Sequence, residues 1–268
     1  MKALPLTDID PLRPLLSRRP LGLFSDIDGT LSPIVERPED AAVTPRSRSL
    51  LERLMREGVR VALITGRPLA TAQTMVGIDN AAYAANHGLE YWLDGRVELT
   101  EGVERYAALV ERIVSDATHL EAVGVQIESK GLGVAFHYRR APDAEAARVA
   151  ILQAIDSSAA QHFAISEGRK VIELRPDIPA NKGTATCILA ERLAVNGILC
   201  VGDDRTDLGM FQAVKNLRDW GIEGSAVAVL SSESATDLLA AGDYTVEGVQ
   251  GVEWLLGEVL KAVGGTSP

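Results

Sequence analysis

The sequence predicts an α/β fold: a doubly wound, Rossmann-like parallel-sheet core interrupted by an inserted α+β cap domain. Three observations point there. Short apolar strands alternate with helical patterns from Leu21 to Leu99, and again from Lys182 onward. Between them, residues 103–177 switch to period-two strands arranged as hairpins. Two of the core strands end in turns crowded with carboxylates and glycine, and strand ends are where open α/β sheets bind ligands. The expected division is a core of residues 1–102 and 178–268 with a cap of residues 103–177.

In chain order, Met1 to Pro20 hold four prolines and predict an irregular lead-in with one short helix near Pro11 to Leu16. Leu21 to Phe24 is a buried strand that runs into Asp26-Ile27-Asp28-Gly29-Thr30. After a proline-rich loop, Thr44 caps a helix with Pro45 at its first position, and Gly58 ends it. Val59 to Ile64 is the next strand. A strand–helix–strand unit of this length demands parallel pairing, so Thr65 arrives at the same sheet edge as Asp26. Ala82 to Ala85 is a third strand, and Tyr91 to Leu99 a hairpin around Asp94-Gly95, a type I′ signal.

The cap reads as a helix from Val103 to Thr118, a hairpin of Val123–Lys130 with Leu132–Arg139, a helix from Asp143 to Ala159, and a second hairpin around Gly168. Strand–helix alternation then resumes with a helix at Lys182, a strand at Ile198–Val201, a helix at Thr206, a strand at Ala226–Leu230 and a last helix.

Bulk properties narrow the function. A chain of 268 residues with formal net charge −10 lacks the basic surface that nucleic-acid binding needs. No apolar run approaches a membrane span and no signal core follows the first charges, so the expected location is cytoplasmic, with no membrane partner. Two cysteines support neither a disulfide framework nor a zinc site, and Cys200 in its apolar run reads as buried and inert. Oligomeric state is not legible.

Chemistry concentrates at four places: Asp26 with Asp28, Thr65, Lys182, and the turn Gly202-Asp203-Asp204-Arg205-Thr206-Asp207. Carboxylates this close repel unless a cation or a shared proton lies between them. Oxygen ligands without a His or Cys cluster suit magnesium, which is bound by a few carboxylates plus a substrate phosphate.

Asp26-Ile27-Asp28-Gly29-Thr30, Thr65-Gly66-Arg67, Lys182-Gly183 and Gly202 to Asp207, in that order, resemble the haloacid-dehalogenase-like phosphohydrolases. The resemblance implies that Asp26 is the nucleophile and forms an aspartyl-phosphate. Asp28 then protonates the leaving oxygen and activates water. It further implies Mg²⁺ held by the Asp26 carboxylate, the Asp28 carbonyl and Asp203, with Asp204 close by. Thr65 would bind the phosphoryl oxygens and Lys182 would neutralise them, while Asp207 either orients Lys182 or caps the next helix.

In the cap, alternation puts Glu128, Lys130, His137, Arg139, Glu173 and Arg175 on one sheet face and the apolar residues on the other. That polar face is either an ordinary solvated face or a lid that reads sugar hydroxyls. Glu128-Ser129-Lys130, His137-Tyr138-Arg139, Gly168 to Pro176 and Asn86-His87-Gly88-Leu89-Glu90 favour the second, because they resemble trehalose-6-phosphate phosphatases over most of the chain. The resemblance implies a sugar-phosphate substrate, with Glu128, Lys130 and Glu173 gripping the distal glucose and Arg67 near the phosphate; Arg139 is a further candidate for substrate binding. Asn181, Leu208 and Ile27 depart from that family's usual residues. His87 and His137 read as structural hydrogen-bonders, and Trp92, Trp220 and Trp254 as packing residues. Two alternatives stay open here: a phosphatase for another glycosyl phosphate, such as a glycosyl-glycerate or sucrose phosphate, and a non-catalytic sugar-phosphate sensor.

Overall fold

A computed structural model of the chain describes residues 3–35, 37–156, 159–168, 170–231 and 236–265. Ser157 and Ser158, at the end of the second cap helix predicted from sequence, and Arg169, in the second hairpin turn, lie outside the described residues. The chain divides into two compact units, Met1–Glu98 with Ala180–Pro268, and Leu99–Pro179.

In chain order the first unit holds β1 (Leu4–Pro5), α1 (Arg13–Leu16), β2 (Leu21–Ser25), α2 (Pro45–Arg56), β3 (Arg60–Ile64), α3 (Leu69–Val76), β4 (Ala82–Ala85), β5 (Glu90–Leu93) and β6 (Arg96–Leu99). The inserted unit holds α4 (Arg105–Ala117), β7 (Gln126–Ser129), β8 (Val134–His137), α5 (Ala144–Asp156), β9 (Phe163–Gly168) and β10 (Val171–Pro176). The chain then returns with α6 (Lys182–Arg192), β11 (Gly197–Gly202), α7 (Leu208–Asp219), β12 (Glu223–Leu230), α8 (Thr236–Ala241), β13 (Tyr244–Glu247) and α9 (Gly248–Gly264).

The core strands form one sheet in the order β1-β13-β12-β11-β2-β3-β4-β5-β6, parallel from β1 through β4. β2 sits at the switch point: the chain leaves it toward β3 on one side and later returns to β11 on the other. A crevice opens beyond the strand ends at such a point. Register is tight there, with Ser25 beside both Val201 and Leu63, and the Asp26 amide donates to the Val201 carbonyl at 3.0 Å.

The strands are apolar because both sheet faces are covered. Leu23, Val61, Leu63 and Val201 pack under Leu51, Leu54, Leu255 and Val259 of α2 and α9. Phe24, Ala62, Ile64 and Cys200 face the other way, against Leu189, Phe211 and Val214 of α6 and α7. Thr44 caps α2 as its sequence predicts, its hydroxyl accepting from the Ser47 amide at 3.0 Å. The β5–β6 turn carries positive φ at both Asp94 and Gly95. Two strands escape the sequence reading, β1 and β13. Both are short and carry no clear apolar run, and pairing with each other and with β12 makes them strands.

The inserted unit is a four-stranded antiparallel sheet in the order β7-β8-β10-β9. Tyr106, Val110 and Ile113 of α4 are buried with Phe136, Ile151 and Ile172, and Tyr106 meets Phe163 edge-on at 5.0 Å. Trp92 and Trp254 pack against the core, but Trp220 does not: it is 75% exposed at the end of α7, which corrects the packing role expected of it.

Candidate active site

Asp26 follows the last residue of β2, and Asp203 and Lys182 stand at the end of β11 and the start of α6. Lys182 is the hub. Its ammonium lies 2.8 Å from Asp26 Oδ1 and 2.7 Å from Asp207 Oδ1, with all three side chains almost wholly buried. Asp207 Oδ2 accepts the amides of Asp203 and Asp204 at 2.9 and 3.1 Å. Asp207 therefore orients Lys182 and shapes the turn; it precedes α7, but its side chain does not cap that helix.

Close backbone approach makes this possible. Gly29 has φ +75°, and a β-carbon there would lie 2.0 Å from Asp203 Oδ2. A β-carbon on Gly202 would lie 2.4 Å from Asp207 Cγ. Each glycine leaves the room that a carboxylate occupies. Asn181 caps α6, accepting the amides of Gly183 and Thr184 at 2.8 and 3.0 Å, so the neutral residue serves as a helix cap next to the lysine.

The electrostatics are those of an overcrowded anionic site. Burial pushes the Asp26 carboxyl well above its usual range; Lys182 pulls it back, and Asp207 and Asp203 push it up again. Partial burial, then Asp207 and Asp204, push Asp203 up to about 7. Burial would lower the Lys182 ammonium, but Asp207, Asp26 and Asp204 outweigh it and hold the lysine above its ordinary value.

Asp26, Asp203 and Asp207 each place an oxygen within 4.8 Å of the others, a group that could hold a metal ion. Both Asp207 oxygens already accept hydrogen bonds, which leaves Asp26 and Asp203 as the better donors. Asp28 and Asp204 keep their side chains out of this group. Asp28 is clasped by Arg67 through two bonds of 2.7 Å, from Nε to Oδ2 and from Nη2 to Oδ1. Asp204 Oδ1 accepts the Thr206 amide and hydroxyl at 2.7 and 2.6 Å, which makes it a turn-forming residue. Thr65 is buried, and its hydroxyl accepts the Arg67 amide at 3.1 Å. The Asp28–Arg67 clasp was invisible in the sequence because the partners are 39 residues apart.

In the inserted unit, Glu128, Ala135, Glu173 and Ser166 form one cross-strand row. Lys130 Nζ lies 2.7 Å from Glu173 Oε1, and His137 Nε2 lies 2.8 Å from Glu128 Oε2. Arg139 is not on that face: β8 ends at His137, and Arg139 is exposed in the turn that follows.

The fold and site together define the class. A haloacid dehalogenase-like hydrolase from Bacteroides thetaiotaomicron superposes with TM-score 0.64 at 15% identity, covering 89% of this chain and 98% of that one. A trehalose-6-phosphate phosphatase related protein superposes with TM-score 0.76 at 22% identity, covering 92% of this chain and all of that one. The fold is that of the haloacid-dehalogenase-like hydrolases with a cap.

Residues 24–243 match the family model described as trehalose-phosphatase. A probable trehalose-phosphate phosphatase of Sinorhizobium fredii is 36% identical over 199 residues, 73% of this chain and 74% of that protein. The chain belongs to the trehalose-phosphatase family of phosphoric monoester hydrolases. It spans about half the length of the mycobacterial trehalose-phosphate phosphatases it matches. No described helix is long and apolar enough to cross a membrane.

Proposed function

We propose that this chain hydrolyses trehalose 6-phosphate to trehalose and phosphate, with Asp26 as nucleophile. The observation that carries the reading is the buried Lys182 bridging Asp26 and Asp207 at 2.8 and 2.7 Å, at the switch point of the sheet. A carboxylate attacks a phosphate dianion poorly unless nearby cations offset the repulsion. Lys182 offsets part of it and holds one oxygen of Asp26 in place.

An Asp26 oxygen attacks phosphorus as the bond from phosphorus to the sugar oxygen breaks. Asp28 gives its proton to that oxygen, and trehalose leaves. In the second half-reaction Asp28 takes a proton from water, whose oxygen attacks the aspartyl-phosphate and releases phosphate. Thr65 and Arg67 hold the phosphoryl oxygens throughout; Arg67, which clasps Asp28 in this structure, links phosphate binding to the acid–base residue.

The donor set fits a hard divalent cation: crowded carboxylate oxygens, partly desolvated, with no His or Cys among them. Asp26 and Asp203 would hold Mg²⁺. When bound, it offsets charge on the phosphoryl oxygens.

Glu128, Lys130 and Glu173 of the cap sheet read the sugar. The partly exposed Lys130–Glu173 ion pair and the His137–Glu128 contact present acceptors and donors that hydroxyl groups replace at small cost. The decisive experiment is phosphate release from a sugar-phosphate panel, with and without Mg²⁺. Fast, Mg²⁺-dependent turnover of trehalose 6-phosphate alone is expected. Comparable rates on several unrelated esters would overturn the assignment, and no release from any would favour a sensor.

A further inference from the structure

Three consecutive residues, Asn86, His87 and Gly88, carry positive φ of 47°, 58° and 94°. Two of them are not glycine, and the left-handed region disfavours any residue with a β-carbon. Backbone held this way persists only where its surroundings enforce it, and such places cluster at functional sites.

The turn aims two successive amides at two carbonyls of one loop. Asn86 N donates to the Arg67 carbonyl at 2.8 Å, and His87 N to the Thr65 carbonyl at 2.9 Å. The same loop is also tied to the end of β4, where Thr65 N donates to the Ala84 carbonyl at 2.9 Å.

One carboxylate locks the arrangement. Glu90 Oε2 accepts from the buried Asn86 side-chain amide at 2.5 Å and from the Leu69 amide at 3.2 Å, at the first residue of α3. Glu90 thus joins the left-handed turn to the helix that starts just after Arg67. A carboxylate at a helix N-terminus is itself favourable. The loop bearing Thr65 and Arg67 is held on one side by two strained amides and on the other by a helix anchored to the same acid.

We propose that Glu90, acting through Asn86, is a positioning residue that fixes the Thr65 hydroxyl and Arg67 guanidinium for the phosphoryl group. This rests on the reading of Thr65 and Arg67 as phosphoryl-binding residues. Glu90 touches no reacting atom; it sets the affinity of the loop for phosphate.

The test is a double-mutant cycle in the Mg²⁺-loaded full chain, using inorganic phosphate as the probe. Its inhibition constant and its calorimetric dissociation constant are measured for wild type, Arg67→Ala, Glu90→Ala, the double variant and Glu90→Gln. Expected is a roughly tenfold weaker phosphate affinity for Glu90→Ala, and rescue to within about threefold by Glu90→Gln, whose amide oxygen still accepts both hydrogen bonds. The double variant should lose less than the product of the two single losses, since part of the effect of Glu90 runs through Arg67.

Phosphate affinity of Glu90→Ala within twofold of wild type, or losses that simply multiply in the double variant, would overturn the proposal. Unchanged phosphate affinity in Arg67→Ala would instead overturn the reading of the loop. Should Glu90→Ala not fold, Asn86→Gly decides on the same criteria, because it keeps the positive φ and removes only the side-chain link.

Discussion

The core cluster and the cap face are built from the same chemistry, one lysine set among carboxylates, yet they sit in opposite surroundings. Lys182 is 3% exposed, between carboxylates that are 6% and 0% exposed. Lys130 and Glu173 are 22% and 26% exposed, and His137 and Glu128 34% and 39%. Water screens and competes for the cap pairs, so each is worth little to stability and is readily exchanged for a ligand hydroxyl. The buried cluster has no such substitute, and losing one member strands the others' charge. Burial suits the core to chemistry, where charges must stay in place. Exposure suits the cap to recognition, where partners must change.

The contrast can be broken at several points. Asp26→Asn is expected to lower phosphate release on the order of 10⁴-fold, because an amide cannot form the phosphoryl ester. A residual rate within tenfold of wild type would remove Asp26 as nucleophile.

Lys182→Ala should cost about 3–5 kcal/mol of unfolding free energy, since Asp26 and Asp207 would be left buried without their counter-charge. Lys130→Ala should cost about 0–1 kcal/mol. Equal losses for the two in denaturant melts would collapse the comparison.

Tyr83 tests the core without touching the site. Its hydroxyl, fully buried, donates to the Ile78 carbonyl at 2.8 Å, and burial pushes its pKa up to about 12. An acid raised in the folded state contributes its full stability below its unfolded value near 10 and loses it as pH rises toward the folded one. The core should therefore weaken by about 2–3 kcal/mol between pH 10 and 12, and Tyr83→Phe should remove that dependence. Pressing smallest of all, Glu128→Ala should raise KM for trehalose 6-phosphate about tenfold, the worth of one charged hydrogen bond, with little change in melting temperature. An unchanged KM would end the idea that the cap face reads the sugar.

Much of the fold was legible. Leu21 to Phe24, Val59 to Ile64 (broken only by Arg60 at its exposed start) and Ile198 to Val201 are apolar runs because both sheet faces are covered, and short apolar runs between helices fit buried parallel strands. Asp94-Gly95 announced its turn because few residue pairs tolerate two positive φ values. Where β8 stops was not legible: alternation carries on to Arg139, but the pairing ladder ends at His137. Trp220 misled for a related reason. A large apolar side chain reads as core unless the end of its helix is known to face solvent.

The sequence by itself determined the order of the central strands and helices, the interruption by a cap and the positions that bring Asp26, Thr65, Lys182 and Asp203 to strand and helix ends. These follow from periodicity and turn chemistry, which act over a few residues. Only the tertiary structure decided who partners whom. Asp28 goes to Arg67, Asp207 to Lys182 and to two amides, Asp204 to its own turn, and Glu90 to Asn86 and Leu69. A carboxylate has several donors within its chemical reach, and burial and backbone approach select among them.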